Sequence, residues 1–358
     1  MWTALMLLMA AGCFEWTEDS QGNLKSLGVP GIPLWKASPT PALAQNESAP
    51  VNDTDPLQLD ATSSGAPPDW LVELNRIRTN SGLPEVGQNI SLSNACADHA
   101  RYLVENGPDE PGAFRQYTAA LGPAAHTEDP SSKFYSADGA EGANGGRRSP
   151  AVLRAADVAF SQNPVADIDG LFAAPFHRLS LIAPWATVAG YGSYGTFPMR
   201  AGALDLRGGY SRKVELVKYP GDGALITDGS FYFPEYPSVL DSCSGYTLPV
   251  GLPITVQAGR NHVLQLKSFS LSGAGGAVEA CGFDPFTYHS PDPGEVQHAQ
   301  KQLGMFGAIV IVPRRPLADG PYTVSVTTET QTLVWNFSVK NARAISRERV
   351  SSWQPGPQ

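Results

Sequence analysis

Apolar residues recur every three to four positions in "PPDWLVELNRIRTNSGLPEV", where Trp70, Leu71, Leu74 and Ile77 share one face. That spacing predicts a helix, with Asp69 available to cap its first turn and Gly82 and Pro84 to stop it. A second helix is expected through "SLSNACADHARYLVENG", with Leu92, Cys96 and Leu103 on one stripe, Ser91 or Ser93 at its start and Gly107 at its end. His99 lies close to that stripe and reads as a buried histidine bonded to a neighbour. The following "AAHTEDPSSKFYSADGAEGANGGRRSP" has no such period and reads as a long loop carrying His126, Glu128 and Glu141. Ser149-Pro150 suits the opening of a third helix. A fourth runs from Pro164 to about Ile182, with Ile168, Leu171, Phe172 and Phe176 toward a core, and ends at Ala183-Pro184. "ATVAGYGSYG" and "TFPMRAGALDLRG" then read as antiparallel strands. Helices gathered around a small sheet give an α+β fold.

Beyond about Val214 the pattern changes. "PITVQA", "HVLQLKSFSLSG", "AIVIVP", "PYTVSVTTE" and "TLVWNFSVK" are β-branched, partly alternating segments between Gly, Pro, Asn and Asp turns, with no helical period among them. The expected organisation is therefore an α+β unit over 68–212 and a β-sandwich over 213–342. The Pro-, Ser-, Thr- and Asn-rich 14–67 read as a tether and 343–358 as an unstructured tail.

The 358 residues carry a formal net charge of −9, and no Lys/Arg run could track phosphates, so nucleic acid is not expected as a partner. Four cysteines fit an oxidising compartment. Cys243 and Cys281 share the β-region and are expected to pair, leaving Cys96 as a buried thiol. At the N-terminus, "MWTALMLLMAAGCFEW" is apolar over a stretch too short to span a bilayer and reads as an export segment. Ala10-Ala11-Gly12-Cys13 resembles a bacterial lipobox, although no Lys or Arg precedes it. The resemblance implies lipidation at Cys13, an anchor in the membrane and an extracellular or cell-envelope location.

The segments "LNRIRTNSGLPEV", "LSNACADHARYLVENG", "AHTEDP", "GAEGAN", "APFHR" and "VAGYG", in that order, resemble the CAP superfamily of cysteine-rich secretory proteins, venom antigens and plant pathogenesis-related proteins, in its bacterial form. The resemblance covers about residues 68–210. "RRPLADGPYTVSV" with "TLVWNFSV" likewise resembles the closing hairpin of a bacterial immunoglobulin-like domain. The CAP resemblance implies an α-β-α sandwich whose cleft carries two histidines and two acidic residues able to hold a divalent ion such as zinc. His126 and His177 match the histidines. The family's Gly-Glu-Asn appears here as Gly142-Ala143-Asn144, so Glu141, or else Glu128, is the nearest carboxylate, and "DIDGLFAAPFHR" offers only Asp167 and Asp169 ahead of His177.

The expected metal ligands are thus His126, His177 and Glu141, in a cleft that takes a small ligand, a lipid or a divalent ion. A metal-assisted hydrolase with Glu141 or Glu128 as base, and a structural or adhesion module of the envelope, are the alternatives. No Gly-x-Ser-x-Gly elbow, His-Glu-x-x-His motif or phosphate-binding loop is present, and His262, His289 and His298 keep no spacing that suggests a site.

Overall fold

The computed structural model describes residues 66–144, 157–208, 216–259 and 262–341, together with the backbone of three strands nearer the N-terminus. Those strands, β1 (Glu15–Glu18), β2 (Leu24–Val29) and β3 (Ile32–Lys36), form an antiparallel meander within the unit Met1–Asp55, where the sequence suggests only tether. Pro30-Gly31 between β2 and β3 is a strong turn signal. Cys13, the tail 343–358 and the expected helix start at Ser149 lie outside the described residues.

In the unit Pro56–Gln358, α1 (Asp69–Asn80) buries Trp70, Leu71, Leu74 and Ile77, the face its spacing predicts. Asp69 stands inside the first turn and makes no capping bond there; its charge complements the helix dipole instead. A short strand β4 (Gly87–Gln88) precedes α2 (Ile90–Glu105). Asn89 caps α2, accepting from Leu92 N at 2.9 Å, so neither Ser91 nor Ser93 has that role. Then comes α3 (Pro111–Ala120), capped by the Glu110 carboxylate on Ala113 N at 2.7 Å.

Two elements occupy the stretch expected to be loop: a 3-10 turn, Gly122–His126, and α4, Ala137–Asn144. Glycine makes α4 possible, because a Cβ at Gly142 would collide with the Ala95 carbonyl of α2.

The expected single helix over 164–182 is two. Strand β5 (Asp157–Ala159) leads to α5 (Pro164–Ala173) and then α6 (Pro175–Leu181). Ala174 between them is extended, with ψ 116°, because the ring of Pro175 excludes the helical conformation from the residue before it.

The antiparallel hairpin β6 (Val188–Thr196) and β7 (Met199–Arg207) forms as its pattern predicts and completes a sheet of order β4-β6-β7-β5. Its faces separate cleanly. Ala189, Tyr191 and Leu204 join the cluster of α1, α5 and α6, whereas Ala201 and Ala203 pack with α2. Gly190 and Gly192 also face α2, where a Cβ on either would strike Leu92 or Ala97, so the glycines of "VAGYG" set how closely helix and strand approach.

The remaining residues build β8 (Val217–Tyr219), β9 (Ala224–Ile226), β10 (Ser230–Phe231), β11 (Val250–Gly251), β12 (Ile254–Gln257), β13 (Leu266–Gly273), β14 (Gly276–Ala277), β15 (Ala280–Phe283), β16 (Ala308–Pro313), β17 (Gly320–Thr328) and β18 (Thr332–Val339). Sheets β15-β16-β12-β8 and β14-β13-β17-β18-β9 share a core of Ile254, Val256, Ile309, Val324, Trp335 and Phe337; β10 and β11 pair separately. The sequence reading places no helix here, yet α7 (Pro293–Phe306) is present. Its signals are an Asp292 cap, Pro293 at the first position and Gly307 left-handed at φ 56°, with Ala299, Leu303 and Phe306 as a thin buried stripe among Gln and Gly.

All six residues of β16 are buried, because Val310 and Val312 point away from the second sheet into the cluster that contains Leu74, Phe176 and Leu303. One core therefore runs across position 212, with no break at the boundary the change of pattern suggests. Fully burying side chains such as Phe176 and Leu179 stabilises by about 1.5–3 kcal/mol each. With seven α-helices and several sheets among the described residues, the fold is α+β. Cys243 and Cys281 are disulfide-bonded, Cα atoms 5.6 Å apart, and Cys96 is a buried free thiol. Among the described residues no helix is long and apolar enough to cross a membrane.

Candidate functional site

His177 is the third residue of α6, and Ser180 follows one turn later on the same face. Both reach Asp157. The His177 Nδ1 lies 2.9 Å from Asp157 Oδ1, and the Ser180 hydroxyl donates to Asp157 Oδ2. Asp157 stands in β5 opposite Leu204, which puts it on the α6 side of the sheet; its neighbour Val158, opposite Ala203, faces α2. A carboxylate on Nδ1 fixes the tautomer and the ring plane. The His177 side chain is 20% exposed, and its Nε2 has no hydrogen-bond partner among the described residues. Burial disfavours the charged ring, but the Asp157 hydrogen bond and the charges of Asp157 and Glu235 outweigh it and hold the His177 pKa above its ordinary value.

Glu235 comes from the segment between β10 and β11. Its Oε2 accepts from Phe176 N at 3.0 Å, at the first free amide of α6, while Oε1 is buried without a hydrogen-bond partner among the described residues. Burial pushes this carboxyl up to about 8, against the opposing pull of His177, Arg178 and the first amides of α6.

A second histidine–carboxylate pair lies on the α2 side. His99 Nε2 is 2.8 Å from the Ala125 carbonyl, which can only accept, so Nε2 carries a hydrogen; Nδ1 is 3.0 Å from Glu128 Oε1. Both side chains are 0% exposed. Glu128 Oε2 also accepts from Ser136 N at 3.2 Å, and the Tyr102 hydroxyl accepts from Asp129 N at 2.9 Å. His99 is thus the bonded, buried histidine its place beside the stripe suggests, and it fastens the chain on both sides of His126.

His126 ends the 3-10 turn and is half-buried. Glu141 is exposed on α4, its Oε1 3.4 Å from Arg207 Nη1, and Arg207 is bound more closely to Asp205 at 2.7 Å. Among the described residues no three His, Cys, Asp or Glu side chains form a group able to hold a metal ion, so His126, His177 and Glu141 are not gathered into one. The reason is local: Asp157 holds the ring of His177, and Glu141 turns to Arg207. As a set, these residues do not fit a zinc centre, which needs several ligands at once. Burial and the nearby Asp205 push the Cys96 thiol well up, which leaves it unreactive.

Asp157 and Glu235 are the acids beside His177 and its helix that sequence reasoning overlooks. Neither sits in a motif; the one signal is an acid between two aromatic-proline steps in "FYFPEYP".

No family model matches the chain, and no curated protein matches it. Among solved structures, the copper resistance protein PcoC from Escherichia coli is similar at 18% identity, covering 36% of this chain and 99% of that one, with a TM-score of 0.20. A likeness that low carries no argument about fold or function.

Proposed function

We propose that this is an exported, lipid-anchored CAP-type protein of the cell envelope, an α-β-α sandwich followed by an immunoglobulin-like β-sandwich. Its role is to bind a small ligand or lipid headgroup through His177. One observation carries the reading: Nδ1 of His177 is held by a buried carboxylate, while Nε2 has no hydrogen-bond partner among the described residues and the side chain is partly exposed. A ring so oriented is prepared to meet something outside the protein.

The raised pKa favours the charged ring, and that form is the one proposed to meet the ligand. A ring that keeps its proton is a donor at Nε2 and suits an acceptor oxygen such as a carboxylate, whereas a metal must first displace that proton. The disulfide supports an oxidising location.

Titration calorimetry of the full chain with decanoate, repeated on His177→Ala, tests this. The expected result is about a tenfold or greater loss of affinity, the value of one charge-assisted hydrogen bond. Equal affinity in the two proteins would remove the reading. Zinc binding that disappears in the double variant His126→Ala/His177→Ala would replace it with the metal reading.

The structural alternative is supported by a separate observation. Phe176 and Trp185 pack on Tyr288 and Phe306, with ring centroids 5.8 and 5.2 Å apart, and so tie the first half of the unit to the second. The same calorimetry decides: no heat with any probe leaves only the structural role.

A further inference from the structure

α6 has seven residues, too few to hold its own shape in water, where nucleation is unfavourable and helices shorter than about 12 residues are marginal. What fixes it comes mostly from beyond residue 212. Glu235 Oε2 takes the amide of Phe176 at 3.0 Å, and Gln302 Nε2 of α7 donates to the carbonyl of the same residue at 3.0 Å. At the other end, Gln257 Nε2 of β12 donates to the carbonyls of Leu179 at 3.2 Å and Ile182 at 2.8 Å.

Between these points Arg178, fully buried, donates to the Pro253 carbonyl at 2.7 Å and lies over the Tyr219 ring at 4.2 Å. Its other nitrogens return to the carbonyls of Phe172 and Ala173 at the end of α5, at 2.8 and 2.9 Å. Front, middle and back of the helix are each held by the later part of the chain. His177 sits between Phe176 and Arg178, both fastened by residues beyond position 212.

We infer that residues 216–341 form the positioning half of the His177 site, with Glu235 as its positioning residue: by holding the Phe176 amide, Glu235 sets the backbone from which Asp157 orients the His177 ring. This rests on the reading of His177 as the ligand-contacting side chain. Gln257 and Gln302 grip carbonyls, so they set the helix's place; among the side chains of the described residues, Glu235 is the one that reaches an amide at the turn that carries the ring. Glu235 also brings a buried carboxyl into the interior at a desolvation cost. Overall stability therefore need not fall when it is removed, and position can be read separately from folding.

The test uses the full chain without ligand. Amide exchange over α6 is followed by mass spectrometry, and acylation of the His177 ring by diethyl pyrocarbonate is timed against that of His126. In Glu235→Ala, protection of α6 is expected to fall about tenfold while α2 is unchanged, and the relative acylation rate of His177 to change about threefold. Glu235→Gln keeps an acceptor oxygen for Phe176 N, so it is expected to restore both quantities to within about twofold of the wild type. Unchanged exchange and acylation in Glu235→Ala would overturn the inference, as would a failure of Gln to restore them. Neither measurement involves a ligand, so loss of the binding reading in calorimetry and loss of this inference remain distinguishable.

Discussion

Among the described residues, two histidine–carboxylate pairs lie on opposite faces of one sheet, and they differ most in what surrounds the second ring nitrogen. In His99–Glu128 both ring nitrogens are bonded and nothing reaches solvent. In His177–Asp157 one nitrogen is bonded, the other has no hydrogen-bond partner among the described residues, and the side chain is partly exposed. The first arrangement can only hold a chain in place. The second can also offer something to a ligand. The same two residue types therefore do different work, and the difference is set by what surrounds the second nitrogen, not by the pair itself.

The largest expected effect breaks the sealed pair. Glu128→Ala removes the partner of His99 and the acceptor for Ser136 N, and should destabilise by about 3–5 kcal/mol, as loss of one member of a buried pair does. Urea denaturation measures it. A loss below about 1 kcal/mol would mean the pair is not the clamp its geometry indicates.

The open pair should reveal itself through pH. Glu235 and His177 both have raised folded pKa values, so the folded chain holds more protons than the unfolded one between the ordinary carboxylate range and about 8. Stability from this source is complete below that window and is lost as pH rises through it. The urea midpoint should fall between pH of about 5 and about 9, and Glu235→Gln should flatten that slope. A midpoint that rises over the same range would contradict the assignment.

The smallest effect is expected at Glu141. Its ion pair with Arg207 is long, and its side chain is half exposed, so Glu141→Gln should change stability by less than about 0.5 kcal/mol and leave ligand binding untouched. A loss of binding in that variant would return Glu141 to the site and weaken the contrast between the two pairs.

Much of the fold was legible because local periodicity and burial agree there. α1 and the α2 stripe of Leu92, Cys96 and Leu103 follow the 3.6-residue period, and the hairpin β6–β7 follows its glycines. Legibility failed where contacts remote in sequence decide. α4 needs α2 to cover its glycines, α7 buries too thin a stripe to stand out, and α5 and α6 separate at a proline inside an otherwise continuous apolar pattern. For the site, the order of motifs singles out His177 but not what it meets. Asp157 is 20 residues away and Glu235 59 residues from the amide it holds, and no pattern in a linear chain connects them.

By itself the sequence pointed to the α+β class and singled out the turn at His177, because each depends on residue type and short-range spacing, and its cysteine count made a Cys243–Cys281 pair the expectation that the structure bears out. The tertiary structure alone decided which acids surround that ring, that His126 and Glu141 are not gathered with it, and that one core passes through both halves. Hydrogen bonding and burial act over distances of ångströms, whatever the separation along the chain, and only the folded path brings those groups within reach.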